Sequence, residues 1–137
     1  ARAWDGWGEK TLLTQLLASE LGLDDQQKII SYTYGGDKSR IAALYGLVEQ
    51  AARQGDSVAM EILCANAVQM TRLVGAVARK LALSAPQVAM LGGLLENDTM
   101  LKARFLAEMA KQYPEMRCVM PHRDAAAGAV MLAKEML

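Results

Sequence analysis

Two glycines offer the most chemistry in this sequence. Gly92 and Gly93 stand in "VAMLGGLLEND", residues 88–98, where a short apolar run passes into the start of a helix. Glycine has no Cβ, so its backbone can be approached closely by a flat or bulky ligand. Ligands on open α/β sheets gather at the carboxyl ends of strands, which is where this pair falls if the apolar run is a strand. A tight turn that needs only a positive φ accounts for the pair as well, and the glycines alone leave both readings open. About thirty residues on, "DAAAGAVMLA" carries Ala125, Ala126, Gly128 and Ala129, so one end of a helix is nearly reduced to backbone. Small residues of this kind let a second helix cross closely, as at a hinge or a domain boundary. An alanine-rich surface helix is the plainer alternative.

Other chemistries are poorly provided for. There is no Gly-rich phosphate loop, no Ser/His/Asp arrangement and no carboxylate pair at a convincing spacing. Cys64 and Cys118 lack CxxC spacing and a clustered histidine, which predicts free buried thiols in a reducing cytoplasm. His122 stands by itself after Pro121 and reads as a loop histidine. Asp37 reads as a helix cap in preference to a metal ligand, Lys38 as a surface charge, and Asn97 with Asp98 as capping chemistry. Trp4 and Trp7 flank "DG" and read as anchors of a loop on the core, with sugar stacking as the functional alternative.

The elements that must position these residues are mostly helices. Thr11 caps a first helix with Leu13, Leu16, Leu17 and Leu21 at helical spacing and Gly22 as its stop. Asp24 and Gln27 make a box-like start for a short second helix through Ile29 and Ile30, ending before "YGGDKS". From about Ser39 a third helix carries Ile41, Leu44, Tyr45, Val48, Ala51 and Ala52 on one stripe and closes at Gly55. Asp56 caps a long fourth helix whose Leu63, Ala67, Met70, Val74, Val77 and Leu81 should form a central core stripe, its methionines serving as packing and not as ligands. After Pro86 the pattern changes: "QVAML" predicts a buried strand, Asn97 or Asp98 a cap for a helix with Leu101, Phe105 and Met109, "MRCVMP" a second strand, and Asp124 the cap of a last helix. That alternation implies parallel strands with helices packed on them.

Composition narrows the partners. With 137 residues, 53% of them hydrophobic, the chain can bury a core of one domain. Lys and Arg total 15, as do Asp and Glu, so no charge excess argues for nucleic acid or an anionic membrane. The apolar runs are short and interrupted by charges, which predicts no transmembrane helix. The opening "ARAWDGWG" has neither an initiator Met nor a signal-peptide profile and reads as the interior of a longer protein.

Several stretches together resemble a known family. "VAMLGGLLEN" resembles the adenosine motif, and "DAAAGAVMLA" the second connecting motif, of the superfamily that unites sugar kinases, actin and the heat-shock chaperone ATPases. "WDGWGEKTLLTQLLASELGL", "YGGDKSRIAAL" and "VEQAARQGDSVAMEIL" are similar to the helical stretch of the BadF/BadG/BcrA/BcrD ATPases and N-acetylglucosamine kinases, in the same order along nearly the whole chain. The resemblance implies an α/β fold: the carboxyl-terminal, nucleotide-side lobe of a ribonuclease H-like actin/sugar-kinase fold over residues 1–137, helical in 1–84 and strand-helix-strand-helix in 85–137. It implies that the phosphate loops, the catalytic carboxylate and the sugar contacts precede these residues, so none of the catalytic groups is expected here.

The same resemblance implies the site. Gly92 and Gly93 would let the adenosine of ATP pack on backbone, while Ser39, Arg40 and Ala42 at the start of the third helix would face the adenine from the other side. Arg40 could stack on the ring through its guanidinium plane, a solvated helix charge being its plain alternative. Family members often carry a basic residue where Trp7 sits, so no family role passes to Trp7. The implied activity is phosphoryl transfer from Mg-ATP to an amino sugar, N-acetylglucosamine first, in the cytoplasm, with the metal held mainly outside this chain and a homodimer among the implied partners. Two alternatives are an ATPase that activates a dehydratase through an iron-sulfur cluster, and a helical interaction or dimerisation module without nucleotide.

Overall fold

A computed structural model describes residues 2–121 and 125–135. The elements run α1 (Leu12–Leu21), α2 (Gln26–Gly35), α3 (Lys38–Arg53), α4 (Ser57–Lys80), β1 (Gln87–Ala89), α5 (Gly93–Glu96), α6 (Met100–Gln112), β2 (Arg117–Val119) and α7 (Ala125–Glu135). The chain divides into two units, Ala1–Asn66 and Ala67–Leu137, the boundary falling inside α4. The change from helices alone to alternating strand and helix comes later, after α4.

In the first unit the caps set the helix starts. Thr11 precedes α1 in extended backbone, and its N–H donates to Thr14 Oγ1 at 3.2 Å. Gly22, at φ +66°, ends the helix in the left-handed region. Asp56 is buried and caps α4 through Oδ1, which accepts from the Ala59 N–H at 2.9 Å; Oδ2 accepts from the Leu13 N–H at 2.6 Å, so one carboxylate serves the first turns of α1 and α4. Burial by itself would push that carboxyl upward. Hydrogen bonds from the Thr11 hydroxyl and the Ala59, Leu13 and Val58 amides outweigh it and hold Asp56 below the ordinary carboxylate range. α1 packs on α3, and Leu13, Leu23, Ala51, Ala52, Ala59 and Leu63 form the buried apolar set of this unit.

The second helix departs from the expectation at both ends. Its cap is Asp25, whose Oδ1 accepts from the Lys28 N–H at 2.7 Å, while Asp24 forms an exposed pair with Lys28 Nζ at 2.6 Å. The helix also continues past Tyr34 to Gly35. Propensity sets this end poorly, because two glycines in a row offer two possible stops.

In the second unit β1 and β2 pair in parallel with Val88 opposite Cys118, as the alternation implied, and the ladder continues to the Met90 N–H, which donates to the Val119 carbonyl at 2.9 Å. The strands are not buried as expected: Gln87 and Ala89 are exposed, Val88 is half-buried, and only the adjoining Met90 is buried. Three-residue strands in a two-stranded sheet have too few neighbours to cover both faces. Helix α6 buries Leu101, Phe105 and Met109 as its spacing predicted, but Thr99 caps it, accepting from the Lys102 N–H at 3.1 Å, in place of Asn97 or Asp98.

The core line of α4 is also corrected. The buried positions are Ala59, Leu63, Ala67, Thr71, Gly75 and Ala78; Met70 and Val74 are half-buried, and Val77 and Leu81 are 56% and 60% exposed. At Gly75 a Cβ would collide with the Tyr113 hydroxyl, which accepts from Arg79 Nη1 at 3.2 Å. A small residue there lets the end of α6 come against α4. No described helix is long and apolar enough to cross a membrane.

Candidate functional site

The expected site residues lie on two short stretches, one in each unit. Ser39, Arg40 and Ala42 are among the first five residues of α3, and all three are exposed. Asp37 positions this turn as a cap, its Oδ1 accepting from the Arg40 N–H at 2.9 Å. The Arg40 guanidinium carbon lies over the Tyr32 ring at 4.5 Å from its centroid, and the Tyr32 hydroxyl donates to the Arg40 carbonyl at 3.0 Å. Both residues line a cleft of about 610 Å³ with Leu23, Gln27, Lys28 and Ser31.

Gly92 and Gly93 form the turn that follows β1, exposed and joined to α5. Gly92 adopts φ +89° and ψ 154°, a region that essentially only glycine enters. Apart from its chain neighbours, no atom lies within 4 Å of where its Cβ would be, so the turn combines the backbone requirement with the open approach that a ligand needs. Its N–H donates to Glu96 Oε1 at 3.0 Å, and its carbonyl accepts from the Leu95 and Glu96 amides. Asn97 Nδ2 donates to the Gly93 carbonyl at 2.8 Å and the Thr99 hydroxyl to the Leu94 carbonyl at 2.7 Å, so side chains from within the following ten residues lock the turn. Asn97 therefore closes α5, and Asp98 pairs with Lys102 at 3.6 Å.

Residues 1–133 match the BadF/BadG/BcrA/BcrD ATPase family. The chain belongs to that family. It is 31% identical over 137 residues to an N-acetylmuramic acid/N-acetylglucosamine kinase of Clostridium acetobutylicum, covering 97% of this chain and 45% of the relative. It is 28% identical over 138 residues to an N-acetyl-D-glucosamine kinase of Dictyostelium discoideum, covering 96% of this chain and 43% of the relative. The BadF-type chain thus spans less than half the length of these two relatives.

Within this BadF-type chain several side chains settle differently from their sequence reading. Trp4 does anchor its loop, donating from Nε1 to the Asp24 carbonyl, but Trp7 is 67% exposed with the Arg2 guanidinium over its ring at 4.8 Å. Cys64 and Cys118 are free and half-buried, and burial pushes the Cys118 thiol up, keeping it a poor nucleophile. His122 and Asp124 lie outside the described residues. Among the described residues no three His, Cys, Asp or Glu side chains gather to hold a metal ion.

Two members of the site went unnoticed in the sequence. Tyr32 stands eight positions before Arg40 with two glycines between, and the break from α2 to α3 falls between them, so no helical periodicity links the pair. Glu96 had a visible signal, since a carboxylate four residues after a glycine that precedes a helix is within reach of that glycine's amide.

Proposed function

We propose that this chain is the nucleotide-side, carboxyl-terminal lobe of a kinase that transfers the γ-phosphoryl group of ATP to an amino sugar, N-acetylglucosamine, in the cytoplasm. In this reading the adenosine lies against the Gly92–Gly93 backbone, and Ser39, Arg40 and Ala42 are assigned to the adenine as well. The observation that carries the reading is the exposed, glycine-only turn at the carboxyl end of β1 in a chain whose relatives are named as N-acetylglucosamine kinases. Catalysis of phosphoryl transfer is mainly positioning and charge stabilisation, so a lobe that only fixes the nucleoside contributes by orienting the reacting phosphate. The sugar, the phosphates and the metal are assigned to residues beyond this chain. The dehydratase-activator alternative finds little support in two half-buried cysteines; the nucleotide-free module predicts no ATP affinity and tolerance of bulk at Gly93.

Calorimetry of ATP binding to the complete protein tests this reading, with Gly93→Val alongside and N-acetylglucosamine present or absent. A Cβ at Gly93 meets only Asn97 Nδ2, at 3.7 Å, so the variant should fold while its side chain fills the adenosine face. Binding that is lost in the variant, with ADP released only when the sugar is added, supports both the activity and the pocket. A folded protein that binds no ATP overturns them.

A further inference from the structure

Arg40 is held in an unusual way for a cation on an exposed helix turn. Lys28 and Arg53 pair with carboxylates on their own or the adjoining turn, at 2.6 Å to Asp24 and 2.5 Å to Glu49. The Arg40 guanidinium is instead laid on an aromatic ring from the preceding helix, 4.5 Å above Tyr32. A second tether fixes the pair, because the Tyr32 hydroxyl donates to the Arg40 carbonyl at 3.0 Å. The backbone between them is shaped for this approach: a Cβ at Gly36 would come within 2.7 Å of the Tyr32 carbonyl, so only glycine lets the end of α2 fold this tightly onto the start of α3.

We propose that Tyr32 is a positioning residue that presents the Arg40 guanidinium as a flat platform for the adenine ring of ATP. This rests on the adenosine-side reading above and adds the residue that makes Arg40 competent for it. A planar guanidinium stacks on aromatic faces, and a nucleobase can stack on its outer face while Tyr32 covers the inner one. A free arginine would lose rotamer freedom on capturing the base, whereas one already oriented in the free protein loses less, so the gain appears as nucleotide affinity. The phosphates are assigned elsewhere, so the effect must follow the base and not the charge of the ligand.

The test measures binding of ATP and of inorganic tripolyphosphate to the complete protein by calorimetry, with melting curves confirming that each variant folds. Arg40→Ala and Tyr32→Leu should each weaken ATP by about five- to thirtyfold, the range of a desolvated cation–π or stacking contact, and leave tripolyphosphate unchanged. Tyr32→Phe keeps the ring and should weaken ATP by no more than about threefold, the share of one hydrogen bond. In the Arg40→Ala background Tyr32→Leu should add nothing. If Tyr32→Leu does not fold, Arg40→Lys tests the same stack from the other side: keeping the charge and losing the plane, it must weaken ATP and spare tripolyphosphate. Equal losses for the two ligands, or penalties that add in the double variant, overturn the proposal and leave Tyr32 a structural residue. Unchanged ATP affinity in Arg40→Ala overturns the assignment of Arg40 to the adenine and the role of Tyr32 with it.

Discussion

Asp56 works on two helices at once, and its removal should show it. Replacing it by Ala leaves the buried amides of Leu13 and Ala59 without their acceptor, an expected loss of about 2–4 kcal/mol from one cap and one buried charged hydrogen bond. The urea midpoint of the intact protein reads it, and Asp56→Asn, which keeps one acceptor oxygen, should lose less. The pH dependence follows from a carboxyl held below its ordinary value. Its stabilisation is complete above the unfolded pKa of about 3.9 and fades as pH falls through the lower folded value. The gap in stability between the parent and Asp56→Asn should therefore hold from neutral pH down to about 4 and close only below that. The two glycines separate at the same scale. Gly92→Ala forces a side chain into φ +89°, ψ 154° and should cost about 1–3 kcal/mol, whereas Gly93→Ala at the first position of α5 should leave the melting temperature close to the parent's. The sequence displayed both glycines but not which one the backbone requires, since that depends on how the strand delivers the chain to the turn.

Among the elements, helix existence was plain in the sequence and helix faces were not. Caps at Thr11, Asp37 and Asp56 and the stop at Gly22 stand where local chemistry puts them, because a cap acts within three residues. In α4 apolar residues occur on almost every side, so periodicity could not choose between the line through Met70 and Val77 and the line through Thr71 and Gly75. Packing chose the small residues, since Ala67, Gly75 and Ala78 let neighbours come close while Val77 and Leu81 stay at the rim. Gly75 is the sharpest case. A Gly75→Ala variant must push the Tyr113 ring aside and break its bond with Arg79, an expected loss of about 1–3 kcal/mol by overpacking. Chemical denaturation checks it, and the loss should shrink in a Tyr113→Ala background if the collision is the cause. The strands were legible as strands and as a parallel pair, but their burial was overestimated, because apolar runs indicate what a strand could cover and not how many strands surround it.

At the scale of the molecule, the family was legible from the order of several weak motifs spread along nearly the whole chain. The relatives are more than twice as long as the segment matched here. Leu73, Val77 and Leu83 line an apolar groove of about 340 Å³ in the second unit, and Val130, Met131 and Leu132 are exposed on α7. Expressed by itself, the 137-residue segment should self-associate as its concentration rises, and Leu73→Gln with Val77→Gln should reduce that association in sedimentation runs without loss of helix signal. The tie between Asp56 and Leu13 also has a consequence in time. The two residues are 43 positions apart, so at a synthesis rate of about 5–20 residues per second the first turn of α1 leaves the ribosome roughly 2–9 seconds before its acceptor. Until then the Leu13 amide faces water, and α1 relies on its local caps and, once it emerges, on α3; the arrival of Asp56 then ties its first turn to that of α4.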